Sequence, residues 1–300
     1  MSNQTNVTMK FPRVLIFSFF VFLISGCIKT AVVSEDETQI ATNETKIKEY
    51  VLARKLDITR ATNGLYYAIT KKNAAGRAPK VGEELAFHYV FSDLNGVKLD
   101  STERLKNDPL AIPIGVGLVI EGLEQGLALL KEGESATLLI PFYLAFGNQA
   151  RTNLPAYSPI RFDVEVVKIR NEDEQIEDYL KAKKILPTEK TDTGLRYVRT
   201  TAGTGAAVAK GQTIKVNYAG RVLTDKEFDK GTFEFVLGAN AVVRGFDEGI
   251  AKMKIGEKAT LIFPSAAGYG AAGSVDNNTR SYRILPYAPL IFNVEVVSVK

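Results

Sequence analysis

The sequence predicts an α+β protein of two similar domains, each a bent antiparallel sheet wrapped around one short helix and each preceded by a helix of its own. Three observations carry that expectation. The first is internal repetition: Val242-Val243-Arg244-Gly245-Phe246-Asp247-Glu248-Gly249 has a paler copy 123 positions earlier, Val119-Ile120-Glu121-Gly122-Leu123-Glu124-Gln125-Gly126. The second is period-two alternation. Leu85, Phe87, Tyr89 and Phe91 share one strand face, as do Ile214, Val216, Tyr218, Gly220 and Val222, with Lys215, Asn217 and Arg221 opposite. The third is helical spacing after each glycine motif: Phe246, Ile250 and Met253, or Leu123, Leu127 and Leu130, make a narrow apolar face that a sheet covers. Alternation this clean implies antiparallel strands with one covered and one wet face, and the short helix is the element available to cover it.

In chain order, Lys10 and Arg13 precede an apolar run at residues 14–24 that closes on Ile24-Ser25-Gly26-Cys27. A charged head, an apolar body shorter than the roughly 20 residues of a spanning helix, and a small-residue end describe an export signal. The last four residues resemble the lipobox of bacterial lipoproteins, which implies cleavage before Cys27 and acylation of its thiol. Residues 1–27 are therefore expected to be a signal peptide, with Met9 as the true start, since the residues before it are polar and unlike a signal head. The expected location is the bacterial cell envelope, lipid-anchored on the periplasmic side of the outer membrane. Residues 28–45 lack apolar period and read as a flexible tether. The first domain is placed at 46–170, a charged linker helix at 171–187 ended by Pro187, and the second domain at 188–300. Ile47, Tyr50 and Val51 recur at helical spacing ahead of the first domain, and Ile176, Tyr179 and Leu180 ahead of the second. Further pairs sustain the repeat: Gly82 with Gly211, Tyr89 with Tyr218, Asp100 with Asp229, Pro141 with Pro264, Phe162 with Phe292.

Composition narrows the function. Hydrophobic residues make up 45% of the chain, enough for two cores, and 38 basic against 34 acidic side chains leave a net charge of only +4. No basic cluster interleaved with aromatics is present, so nucleic acid is not an expected partner. The single histidine, His88, sits between Phe87 and Tyr89 and is expected at a wet surface or edge. With one histidine and one lipidated cysteine, the mature chain has no zinc-type metal site and no thiol chemistry to offer, and no Gly-x-Ser-x-Gly motif appears. No cofactor is implied. A reaction run by this chain has to need neither nucleophile nor metal.

What the second repeat concentrates is aromatic side chains: Tyr218, Phe228, Phe233, Phe235, Phe246, Tyr269, Tyr287 and Phe292. Tyr269 lies between Gly268 and Gly270, where backbone freedom presents a side chain. On Val216-Asn217-Tyr218-Ala219-Gly220, Phe228-Asp229, Phe233-Glu234-Phe235-Val236-Leu237-Gly238, Val242-Val243-Arg244-Gly245-Phe246, Gly268-Tyr269-Gly270 and Leu285-Pro286 with Phe292, the second repeat resembles an FKBP-type peptidyl-prolyl cis-trans isomerase domain. That resemblance implies a proline pocket with Tyr218, Phe228, Phe233, Val242, Val243 and Phe292 as walls and Phe246 as floor, where the family usually has tryptophan. It also implies Asp229 beside the pocket, a Tyr269 hydroxyl that hydrogen-bonds a substrate carbonyl, Leu285 as a substrate contact, and proline-containing polypeptides as clients. Residues 270–286 are longer than their counterpart at 147–155, and the extra loop at 274–282 is expected to overhang the pocket. The first repeat resembles the family over about residues 63–170, but Leu99, Leu110, Leu123 and Phe146 stand where Phe228, Phe233, Phe246 and Tyr269 do. Weak or absent isomerase activity is expected there.

Overall fold

The computed structural model describes residues 34–300, so the expected leader, Cys27 and the start of the tether lie outside the described part. The expected tether is corrected at once, because helix α1 spans Glu35–Ala53 and takes up residues 35–45. Local capping rather than apolar period is the reason. Ser34 accepts the Glu37 N–H at 3.2 Å while the Glu37 carboxylate accepts the Ser34 N–H at 3.1 Å, and Glu35, Asp36 and Glu37 sit at the positive end of the helix dipole.

The first domain is one antiparallel sheet of β1 (Thr59–Arg60), β2 (Tyr66–Lys71), β3 (Glu84–Asp93), β4 (Lys98–Ser101), β5 (Leu110–Pro113), β6 (Ser135–Ile140) and β7 (Ile160–Arg170). The order is β1-β2-β6-β7-β3-β4, with β5 also on β3. The second repeats it with β8 (Glu189–Lys190), β9 (Arg196–Thr201), β10 (Thr213–Val222), β11 (Glu227–Val236), β12 (Lys258–Phe263) and β15 (Leu290–Val299), in the order β11-β10-β15-β12-β9-β8. A two-stranded hairpin, β13 (Ser274–Val275) and β14 (Tyr282–Ile284), stands apart. Register supports the repeat residue by residue: Gly220 pairs Asp229 and Val216 pairs Phe233, as Phe91 pairs Asp100 and Phe87 pairs Leu110. The single strand β11 is thus broken in the first domain into β4 and β5, separated by a turn at Arg104–Lys106.

Inside each sheet lies the expected short helix, α2 (Glu121–Ala128) or α4 (Arg244–Ile250). Helices this short do not persist alone in water, so packing holds them. Gly122 and Gly245 belong to the helices themselves rather than to a turn before them. A Cβ on Gly245 would strike the Phe263 ring, and one on Gly249 the Leu261 methyls; Gly122 and Gly126 stand in the same relation to Ile140 and Leu138. The two glycines let the helix lie directly on the sheet.

The other sheet face is not wet throughout, as the alternation predicts. Helix α1 covers it in the first domain, with Ile47 and Tyr50 buried on Tyr66 and Leu139, and α3 (Glu172–Lys183) covers it in the second, with Ile176 and Leu180 on Ile262 and Ile291. Out-of-phase apolar residues such as Leu139 and Ile291 mark the covered strip. Helix α3 ends before Pro187, at Lys184, whose left-handed conformation (φ 55°) lets its N–H reach the carbonyls of Leu180 and Lys181. His88 is likewise buried rather than at an edge, since β3 lies between β7 and β4, and its Nδ1 sits 3.0 Å from Thr102 Oγ1.

Helix α3 also joins the domains. Toward the first, Glu174 pairs with Arg77 at 2.7 Å, and Asp178 pairs with Lys168 at 2.6 Å and Arg170 at 3.0 Å. Toward the second, Asp173 and Glu177 both bind the guanidinium of Arg196, a side chain buried to 1% exposure. Among the described residues no helix is long and apolar enough to cross a membrane.

Candidate active site

The cleft of the second domain is built from α4, the strand that precedes it and the central strands of the sheet. Val243 caps α4 in extended conformation, and the Asp247 carboxylate accepts the Gly238 N–H at 3.0 Å, which ties the incoming loop to the helix. Phe246, in the first turn of α4, is then turned inward among rings: Phe292 at 5.1 Å edge-on, Phe233 at 6.1 Å and Tyr218 at 6.3 Å edge-on. Tyr218 and Phe233 pack edge to face at 5.2 Å. Tyr218, Asp229, Phe233, Ala241, Val242, Val243, Phe246, Tyr269 and Phe292 enclose a cavity of about 440 Å³.

Three polar groups interrupt this apolar box. The Tyr218 hydroxyl donates to Asp229 Oδ2 at 2.7 Å, and Asp229 Oδ1 accepts the Lys230 N–H at 3.0 Å, so the carboxylate is pinned rather than available as a base. Burial, and then the bond to Asp229 and its charge, push the Tyr218 hydroxyl up to about 12, which keeps its proton in place at neutral pH. Tyr269 stands at the rim, partly exposed, and its hydroxyl has no hydrogen-bond partner among the described residues. Burial and the nearby Asp229 charge raise it as well. The arrangement suits a small apolar ring held in a dry pocket with one donor left over for a carbonyl.

Most of the residues expected in this cleft meet there. Phe228 does not line the cavity: it packs edge-on behind Phe292 at 5.6 Å, in space that exists because Gly220 has no side chain. Leu285 does not line the cavity either. It is exposed, and the buried residue of that segment is its neighbour Ile284, which anchors the chain in the core. The loop at 274–282 is also off the cavity wall; it folds into the β13–β14 hairpin, with Asp276 accepting the N–H groups of Asn278 and Thr279 across its tip. Gly273, at φ 64° and with the backbone of residues 284–286 where a side chain would sit, makes the turn into the hairpin. Ala241 lines the cleft without any signal in the sequence that singles it out.

The first domain keeps a cleft of about 520 Å³ above Leu123. Tyr89 donates to Asp100 at 2.6 Å, and burial followed by that bond pushes its hydroxyl up to about 12. A feature missed in the sequence reading is Phe91, which occupies the place of Gly220, stacks on Phe162 at 4.8 Å and meets Phe146 at 5.9 Å. It restores the ring lost at Leu99; comparing the repeats at that position is the signal that could have found it. Neither the floor ring nor the rim hydroxyl is restored, since Leu123 and Phe146 hold those places.

Comparison with known proteins bears on both clefts. The family described as FKBP-type peptidyl-prolyl cis-trans isomerase matches residues 75–167 and again 205–297, together more than half of the chain. The human protein named peptidyl-prolyl cis-trans isomerase FKBP9 is 29% identical over 226 residues, covering 74% of this chain and 35% of that protein. FK506-binding protein 4 of Dictyostelium discoideum is 37% identical over 108 residues, covering 35% of this chain and 28% of that protein. The chain thus spans about a third of the length of the curated relatives it matches. Among solved structures, FkpA from Escherichia coli is 29% identical with a TM-score of 0.38, covering 45% of this chain and 62% of that one. The three FKBP domains of wheat FKBP73 are 19% identical with a TM-score of 0.39, covering 82% and 99%.

Proposed function

The chain belongs to the FKBP-type peptidyl-prolyl cis-trans isomerase family, and from that membership and its two unequal clefts we propose that the second domain catalyses prolyl isomerisation on exported polypeptides. The observation that carries the reading is the co-location of a buried floor ring, Phe246, with an unpartnered rim hydroxyl, Tyr269, in the second domain alone. Rotation about a peptide bond costs about 18–20 kcal/mol, chiefly as lost resonance. Water favours the planar, charge-separated amide, so a pocket that strips water from the prolyl carbonyl and seats the ring on Phe246 favours the twisted form. Tyr269 then donates to a substrate carbonyl and fixes the chain against the rim. No proton moves and no bond breaks, which agrees with an Asp229 engaged by Tyr218 and Lys230.

In this reading the first domain holds client segments in its apolar cleft without turning them over, and the protein works in the bacterial envelope, anchored through lipid on Cys27. The motif ending at Cys27 supports the anchor. The test is a paired assay on a proline tetrapeptide with the full chain carrying Phe246→Leu or Leu123→Ala. Activity lost only with the first supports the reading; a folded wild-type chain with no activity sinks it and favours a scaffold or holding role. For the anchor, Cys27→Ser should move the protein from the membrane to the soluble envelope fraction, and unchanged membrane retention would remove that part.

A further inference from the structure

Glu172 opens the inter-domain helix α3, outside both segments matched by the family, yet its carboxylate reaches into the catalytic domain. One oxygen accepts the Ser265 hydroxyl at 2.7 Å and the other accepts the Ser265 backbone N–H. Ser265 is buried and begins the short turn Ser265–Ala267; its own carbonyl takes the Gly268 N–H at 2.7 Å, and Tyr269 follows directly. The carbonyl of Ala266 in the same turn lies 3.5 Å from the Arg244 guanidinium of α4. The clamp therefore grips the segment that presents the rim hydroxyl.

The helix that carries Glu172 is itself held. Asp173 and Glu177 bind the buried Arg196, and Ile176 and Leu180 pack on the sheet. The residue 129 positions earlier is Asn43 on α1, whose Oδ1 accepts the Phe142 N–H at 3.1 Å while its Nδ2 donates to the Tyr157 carbonyl at 2.9 Å. Both domains thus join helix to turn, but in the second domain a carboxylate takes both donors of one residue. A partly buried carboxylate is costly without such donors, so the pair of bonds to Ser265 makes the position selective for an acceptor. The first domain's clamp leads to Phe146, which has no hydroxyl to place.

We propose that Glu172 is a positioning residue of the second cleft: its carboxylate fixes the 265–268 turn and so the place from which Tyr269 offers its hydroxyl to the substrate. This rests on the reading that the second cleft is the active one. The experiment compares the wild-type full chain with Glu172→Ala, Glu172→Gln, Tyr269→Phe and Glu172→Ala/Tyr269→Phe, by kcat/KM on a proline tetrapeptide and by amide hydrogen exchange at residues 265–269. In Glu172→Ala the Ser265 amide exchanges about tenfold faster or more, and kcat/KM falls about three- to tenfold, the scale of a lost hydrogen bond. Glu172→Gln stays within about twofold of wild type, because its amide accepts the N–H and donates to the hydroxyl oxygen. In the Tyr269→Phe background Glu172→Ala costs less than about 1.5-fold, since the group it positions is gone.

Unchanged exchange at 265–269 overturns the clamp whatever the activity does. Equal fold losses in both backgrounds overturn the positioning role, because general structural damage adds. A wild-type chain without activity defeats the functional reading instead, and the exchange measurement still decides the clamp. Should Glu172→Ala not fold, Ser265→Ala removes the hydroxyl donor alone; a loss of about twofold supports the proposal and no loss overturns it.

Discussion

Removing the floor of the second cleft separates the two domains most sharply. Phe246 is 2% exposed and meets Phe292, Phe235, Phe233 and Tyr218 at ring separations from 5.1 to 6.3 Å. Truncating such a ring to alanine costs about 3–5 kcal/mol of stability, which takes most of the margin of a domain stable by about 5–15 kcal/mol. Phe246→Leu is the cleaner perturbation, since it copies the floor of the first domain and costs about 1–2 kcal/mol in packing. Losing one or two ring contacts of about 1 kcal/mol each to the twisted prolyl group lowers kcat/KM by about 5- to 30-fold, at about 1.4 kcal/mol per tenfold. The assay is acceleration of cis-trans exchange in a proline tetrapeptide, with urea unfolding run alongside to certify the fold. Leu123→Ala costs the first domain about 2–5 kcal/mol of stability and leaves total activity almost untouched. A folded Phe246→Leu chain with full activity, or equal losses from both substitutions, refutes the division of labour.

Gly245→Ala should destabilise the second domain by about 1–3 kcal/mol, because the new methyl is driven into the Phe263 ring and α4 must lift from the sheet; a chemical midpoint unchanged from wild type contradicts that packing. Arg196→Ala should cost about 1–3 kcal/mol, less than a fully buried pair because Asp173 and Glu177 remain more than half exposed, and it should speed amide exchange along α3. Hydrogen bonds from Lys168 and then Arg170 hold Asp178 below its ordinary 3.8, so the unfolded chain takes up that proton first. The contribution of Asp178 is whole above pH 3.8 and is lost as pH falls through the lowered value. Proteolytic nicking at the junction of α3 with the first domain should therefore be flat from neutrality down to about pH 5 and rise below 4; a rise already at pH 6 would point to another group.

Much of the fold was legible because the repeat and the strand alternation are local patterns. Phe162, Val164 and Val166 turn inward on β7 as their spacing predicts, and the helices before each domain stand where Ile47 and Ile176 set their period. The cleft was legible for Tyr218, Phe233, Val242, Val243, Phe246, Tyr269 and Phe292 through motif resemblance. Leu285, expected as a substrate contact, is exposed and off the cavity wall, and the neighbouring Ile284 is the side chain that anchors the segment, since one residue of offset in irregular backbone decides which is buried. The start of α1 was missed because its first two turns are held by a cap and by charge, which leave no apolar period to read.

By itself the sequence determined that there are two α+β domains, that the second holds the richer set of rings, and that the usual nucleophile and metal-site motifs do not occur in it. These follow from residue identity and short-range spacing. Only the tertiary structure decided that Phe228 fills the space Gly220 leaves open while Phe91 supplies the corresponding ring in the first domain, that Asp229 is engaged by Tyr218, and that α3 grips the turn carrying Tyr269 through Glu172. Each of those depends on groups far apart in the chain meeting within a few ångströms, and such meetings are set by how helices and sheet close on one another.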